Sequence, residues 1–257
     1  METAAVQVLR TMGTVVSVTL SQGPRQERWA DGVERIFADA DRRFSLYRPD
    51  SELSRIAAGA VALPDSSPAV RRMYALALHW RTVTNGEFTP HRPDGVLDLS
   101  GVVKAWAAAV AGEWLHSEGH RDWCLNAGGD VLCSGTAGDG GGWQVGIVDP
   151  ADRTSLLGSI AATAALPAVA TSGSAERGEH IWRRPGTSME FVQVTVRAAD
   201  IITADVLATA ITAGGSAALH RFSSELPIDV LAVRCDGGLL ATPGFVRRPT
   251  APVRPAN

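Results

Sequence analysis

The chain has 257 residues, of which 45% are apolar and 20% charged, and its formal net charge is −3 at pH 7. That composition supplies a buried core and excludes general disorder, and the charge balance excludes the broad basic field that nucleic acid or an anionic membrane requires. Cys124, Cys133 and Cys235 are odd in number and form no C-x-x-C pair, which argues against a disulfide framework or a zinc knuckle and for reduced thiols.

Residues 1–20 alternate apolar and polar side chains and lack a basic segment followed by an apolar run, so they do not read as a signal peptide. No stretch approaches the ~20 apolar residues that span a bilayer, so no transmembrane segment is expected, and the expected compartment is the cytoplasm. The alternation predicts a strand over 14–20. Trp29, Val33, Ile36, Phe37 and Ala40 at helical spacing then predict a helix over 25–44. Ser51 can cap a short helix to residue 56, and 68–84 reads as an amphipathic helix ended by Asn85-Gly86. After a loop through Pro90 and Pro93, Ser100 begins an Ala-rich helix that runs to about residue 116. Short strands between glycine turns follow, over 123–126, 131–134, 143–148, 155–162 and 192–197. A helix from 203 to about 213 interrupts them before a strand over 228–234. The fold class is therefore α+β, a largely antiparallel sheet flanked by helices, in one domain over 1–242 with a Pro/Arg-rich tail over 243–257.

Several segments carry chemistry. Asp205 and Thr209, at i and i+4, place a carboxylate and a hydroxyl on one helix face, a donor pair suited to a hard cation such as magnesium. The alternative is an aspartate favouring the helix start and an ordinary helical threonine. Asp98 precedes a helix start, and Lys104, the sole lysine of the chain, lies in that helix's first turns. The helix dipole disfavours a cation there, so either an anion such as phosphate meets it or the side chain is solvated. Asn126-Ala127-Gly128-Gly129-Asp130 joins two strands, as a close approach to a flat or phosphorylated ligand or as a hairpin turn. It is not a G-x-G-x-x-G fingerprint, which disfavours a Rossmann oxidoreductase. His180, after a Thr171-Ser172-Gly173 turn, is a candidate general base near neutral pH or a structural histidine.

In order along the chain, these segments resemble the ApbE family of FAD:protein FMN transferases from Met12 to about Ala213. The resemblance rests on Met12-Gly13-Thr14, Phe44-Ser45-Leu46-Tyr47 with Ser51-Glu52-Leu53, Gly86-Glu87-Phe88-Thr89-Pro90 and residues 98–104. It continues through residues 126–130 and 143–150, Thr171-Ser172-Gly173, His180-Ile181 and residues 205–209. It implies a single ApbE-like, T-fold-like domain. It also implies an FAD site lined by Met12, Tyr47, Phe88, Thr89, Pro90, Asp98, Lys104, His180 and Ile181. Tyr47 would supply an aromatic face and Asp98 a hydrogen-bonding carboxylate. Mg2+ would be held by the Gly101 carbonyl, Asp205 and Thr209.

The implied reaction is Mg2+-dependent transfer of FMN from FAD to a Thr or Ser hydroxyl of an acceptor protein, with AMP released. Lys104 and Asp205 would act on the phosphates and metal, and His180 on the hydroxyl proton. Family acceptors carry a short Ser/Thr-Gly-Ala-Ser/Thr motif. The alternatives are an FAD pyrophosphatase giving FMN and AMP, or a non-enzymatic FAD-binding protein. The chain departs from the family pattern at Ala208, where some members have aspartate, and at Ala105, where glycine is common. It departs again at Trp182-Arg183-Arg184-Pro185, where the usual strand has an aspartate before the proline.

Overall fold

The computed structural model describes residues 4–21, 27–173, 182 and 188–245. The N-terminal alternation starts earlier than expected: β1 (Ala5–Thr11) and β2 (Thr14–Leu20) form an antiparallel hairpin. Met12 (φ 51°) and Gly13 (φ 68°) supply the two left-handed residues of its turn, the geometry whose twist matches paired strands. β3 (Trp123–Ala127), β4 (Asp130–Ser134), β7 (Ala168–Gly173), β8 (Phe191–Ala198), β9 (Asp229–Arg234) and β10 (Leu239–Ala241) complete an eight-stranded sheet in the order β1-β2-β3-β4-β7-β8-β9-β10. All of its neighbours are antiparallel. β5 (Gln144–Val148) and β6 (Leu156–Ala161) form a separate two-stranded sheet. Residues 171–173, expected as a turn, are the end of β7. Its first three residues are all buried, so the strand lacks the alternation that marks a half-exposed one.

The helices are α1 (Glu27–Phe44), α2 (Glu52–Ala57), α3 (Pro68–Val83), α4 (Ser100–Ser117) and α5 (Ile201–Glu225). α4 lies against β3 and β4, α5 against β7 and β8, and α1 covers α4. Ala105, Ala108 and Ala111 of α4 and Ala204, Leu207, Ala208 and Ile211 of α5 share one core with Leu125, Val194 and Val196 of the sheet. Small residues allow close approach: a Cβ on Gly112 would lie 2.8 Å from the Trp123 ring. On the opposite face Val145, Ile147 and Ile160 of the β5–β6 hairpin pack on Val131, Cys133 and Val169.

α5 is long and apolar enough by length and composition to cross a membrane, contrary to the expectation that no stretch would be. Its apolar residues are instead largely buried inside the fold, against α4 and the sheet, as in a core helix. It also runs past its expected end at 213. Gly215 (φ 67°, ψ −155°) breaks the helical path there, and the Glu190 carboxylate accepts from the Ser216 N–H, capping the second piece.

Candidate functional site

Strand register gathers the candidate residues at one end of the sheet. β2 enters from the Met12-Gly13 turn and pairs Val16 with Ala127. The Gly128 N–H then donates to the Val15 carbonyl at 3.0 Å. β4 leaves the Gly128-Gly129 turn that follows β3, and its pairing of Val131 with Val169 carries residues 171–173 of β7 past the start of β4. The N-terminus of α4 lies here too, because Lys104 meets Asp130 while Gly112, two turns on, meets Trp123 and Leu132 further along the hairpin.

The β3–β4 turn is an ordinary two-residue hairpin. Gly128 (φ 60°) and Gly129 (φ 93°) hold it, and the Gly129 N–H donates to Asn126 Oδ1 at 2.9 Å. Its exit residue, Asp130, is 0% exposed and accepts Lys104 Nζ on Oδ2 at 2.5 Å; Lys104 is 8% exposed. A solvated lysine is thereby excluded. The anion that offsets the unfavourable helix-start position includes a carboxylate of the protein itself. Asp130 had no role in the sequence reading; its signal was a lone acid at the head of an apolar strand.

Ser100 is the first helical residue of α4 and Leu99 its N-cap, which makes no side-chain cap bond; Asp98, one residue earlier, accepts from the Ser100 N–H on Oδ1 at 2.9 Å. The Asp98 N–H donates to the Pro90 carbonyl at 2.8 Å, tying the helix start to the 88–90 segment. Phe88 and Pro90 are buried and Thr89 half-buried. Gly101 admits Phe88, since a Cβ there would lie 2.8 Å from Cε2 of that ring. His91, which the sequence reading passed over, follows directly. Its Nε2 is 3.2 Å from the Tyr74 hydroxyl, and burial, with the Arg81 charge, holds its pKa below the ordinary value.

Asp200 caps α5 by accepting from the Thr203 N–H at 2.8 Å, so Asp205 is not the helix-start aspartate. Asp205 is 5% exposed, and its Oδ2 has no hydrogen-bond partner among the described residues. One turn on, Thr209 Oγ1 lies 3.0 Å from Ser172 Oγ of β7, a neighbour the sequence did not reveal. A buried carboxylate oxygen without a donor is costly, and a cation would satisfy it. The donors are oxygens only, and no group of three or more His, Cys, Asp or Glu occurs among the described residues. That set fits magnesium, which takes few protein ligands and fills its shell with water and substrate phosphate. Ala208 is fully buried in the core, so it adds no second carboxylate.

Tyr47 is 85% exposed on the loop after α1. Phe44 anchors that loop, edge-on to Trp106 of α4 at 6.1 Å. Met12 is half-buried against the core at the β1–β2 turn. His180 and Ile181 lie outside the described residues, so their expected roles have no geometry here. Their neighbour Trp182 faces the Arg92 guanidinium at 5.6 Å, beside the 88–98 segment.

A family model described as ApbE matches residues 12–92 and 89–232. An FAD:protein FMN transferase of Vibrio cholerae is 25% identical, across 89% of this chain and 87% of that protein. One of Rhodobacter capsulatus is 29% identical across 79% of this chain but only 38% of its own length. In fold, the chain is similar to the solved flavin transferase ApbE of Vibrio cholerae, with a TM-score of 0.76, 23% identity and coverage of 94% of this chain and 98% of that one. The apo flavinyl transferase ApbE of Pseudomonas stutzeri gives 0.77 at 20% identity, covering 94% and 95%.

Proposed function

This chain belongs to the ApbE family, and from that membership we propose that it is an FAD:protein FMN transferase, as its Vibrio cholerae and Rhodobacter capsulatus relatives are named. A serine or threonine hydroxyl of an acceptor protein attacks the FMN phosphorus of FAD. The P–O bond to AMP breaks, AMP leaves, and FMN remains on the acceptor through a phosphodiester.

The observation that carries this reading is the buried Asp205 Oδ2 that lacks a donor, one turn from Thr209. Asp205, Thr209 and the Gly101 carbonyl would hold Mg2+, which when bound supplies charge neutralisation for the pyrophosphate. Lys104, fixed by Asp130, adds positive charge beside the N-terminus of α4, where the helix dipole already favours phosphate. Asp98 has Oδ1 occupied by the Ser100 N–H, which leaves Oδ2 to accept from the cofactor. The exposed Tyr47 ring offers a face to the flavin or adenine, and by the family resemblance Met12, Phe88, Thr89, Pro90 and Ile181 would line the same cofactor. His180 takes the hydroxyl proton.

The test is incubation with FAD and Mg2+, with and without an acceptor bearing a Ser/Thr-Gly-Ala-Ser/Thr motif, followed by intact-mass and nucleotide analysis. An FMN adduct on the acceptor with stoichiometric AMP supports the transferase. FMN and AMP released equally without acceptor would make the protein a pyrophosphatase, and bound but uncleaved FAD a binding protein.

A further inference from the structure

Cys124 and Cys133 are direct cross-strand partners on β3 and β4, away from the residues assigned above. The Cys133 N–H donates to the Pro167 carbonyl on its other side. The two cysteines therefore form a non-hydrogen-bonded pair, the register in which opposed side chains come closest. Their sulfurs are 3.5 Å apart, with Cys133 donating. Both side chains point to the sheet face that the β5–β6 hairpin covers, Cys133 buried and Cys124 half-buried. A cleft of about 450 Å3 bordered by His116, Ser134 and Trp143 opens beside Cys133.

We propose that Cys124 and Cys133 are a redox-active dithiol that a hydroperoxide converts to a cross-strand disulfide. Opposed strand positions already meet the separation a disulfide needs, so closure requires side-chain rotation and no strand movement. Cys124 is the attacking sulfur. It is the more accessible of the two, and the S–H of Cys133 holds its pKa below the ordinary value while raising that of Cys133. Its thiolate attacks a peroxide oxygen, the O–O bond breaks, and water leaves as the sulfenic acid forms. Cys133 then attacks that sulfur, the S–O bond breaks, and a second water departs. Two thiols lose two electrons and two protons, and hydrogen peroxide becomes two waters. The crosslink ties the hairpin that presents Asp130 to Lys104.

The test treats the wild-type protein with hydrogen peroxide, then maps free thiols by alkylation and peptide mass. The expected product has lost two hydrogens between Cys124 and Cys133, and dithiothreitol restores them. In a Cys235→Ser background, Cys133→Ser traps Cys124 as a sulfenic acid that dimedone labels. Cys124→Ser slows peroxide consumption more than about tenfold, because it leaves only the buried thiol of Cys133. The proposal is overturned if Cys124 and Cys133 both stay alkylatable while Cys235 oxidises, or if Cys133→Ser gives no dimedone adduct.

Discussion

Lys104 Nζ lies 2.5 Å from Asp130 Oδ2, so the sole lysine of the chain and the first carboxylate of β4 form one buried unit between helix and sheet. Removing either partner takes a charge-assisted contact from a buried charge. Lys104→Met is expected to destabilise by about 3–5 kcal/mol and to weaken FAD binding at least about tenfold. Adding Asp130→Asn should recover most of the stability and none of the affinity. Urea denaturation and calorimetry check this; affinity restored along with stability would make the pair purely structural.

Asp205 is buried with one oxygen lacking a donor, so its carboxylate is a liability without a cation. Asp205→Asn should raise metal-free stability by about 1–3 kcal/mol, abolish thermal stabilisation by Mg2+, and eliminate FMN transfer. Melting curves with and without Mg2+ decide it; wild-type stabilisation by Mg2+ in the variant would remove Asp205 from the metal site.

Tyr47 is the converse case, an exposed ring whose loss costs the fold little. Tyr47→Ala should leave the melting temperature unchanged and weaken FAD binding by about tenfold, the sum of a stacking contact of ~1 kcal/mol and its burial. Unaltered affinity by calorimetry would remove the ring from the cofactor site.

Gly101 faces Phe88 too closely for any side chain. Gly101→Ala should cost about 1–3 kcal/mol by overpacking, and pairing it with Phe88→Leu should recover part of that loss. Denaturation midpoints of the single and double variants measure the coupling.

His91 has a pKa lowered by burial and by the Arg81 charge, and burial also lowers that of His120. Below their unfolded value of about 6.5 the unfolded chain binds more protons than the folded one, so stability falls with pH. The contribution is whole above that value and is lost as pH drops from it toward the lower folded pKa. Melting temperatures from pH 8 to 5 should show this decline, shallower in His91→Gln; an unchanged slope would assign it elsewhere.

The ordered segments from Met12 to Thr209 were legible because each is local. An acid before a helix start, a glycine pair or an i, i+4 donor set is encoded by adjacent residues and by the period of the element that holds them. Periodicity likewise placed β2, the amphipathic α1 and α3, and the start of α4. It failed where burial on both sides erases alternation, as in β7, and where α5 resumes after Gly215 because Glu190, just before β8, caps it. The union of Lys104 with Asp130, of Thr209 with Ser172, and of Gly101 with Phe88 was decided only by tertiary structure. Those contacts depend on strand register and on how α4 and α5 lie across the sheet, which long-range packing sets and no local pattern records. Asp205 shows the division within one residue: its spacing from Thr209 was written in the sequence, but the burial that leaves Oδ2 in want of a cation arises from the core around it.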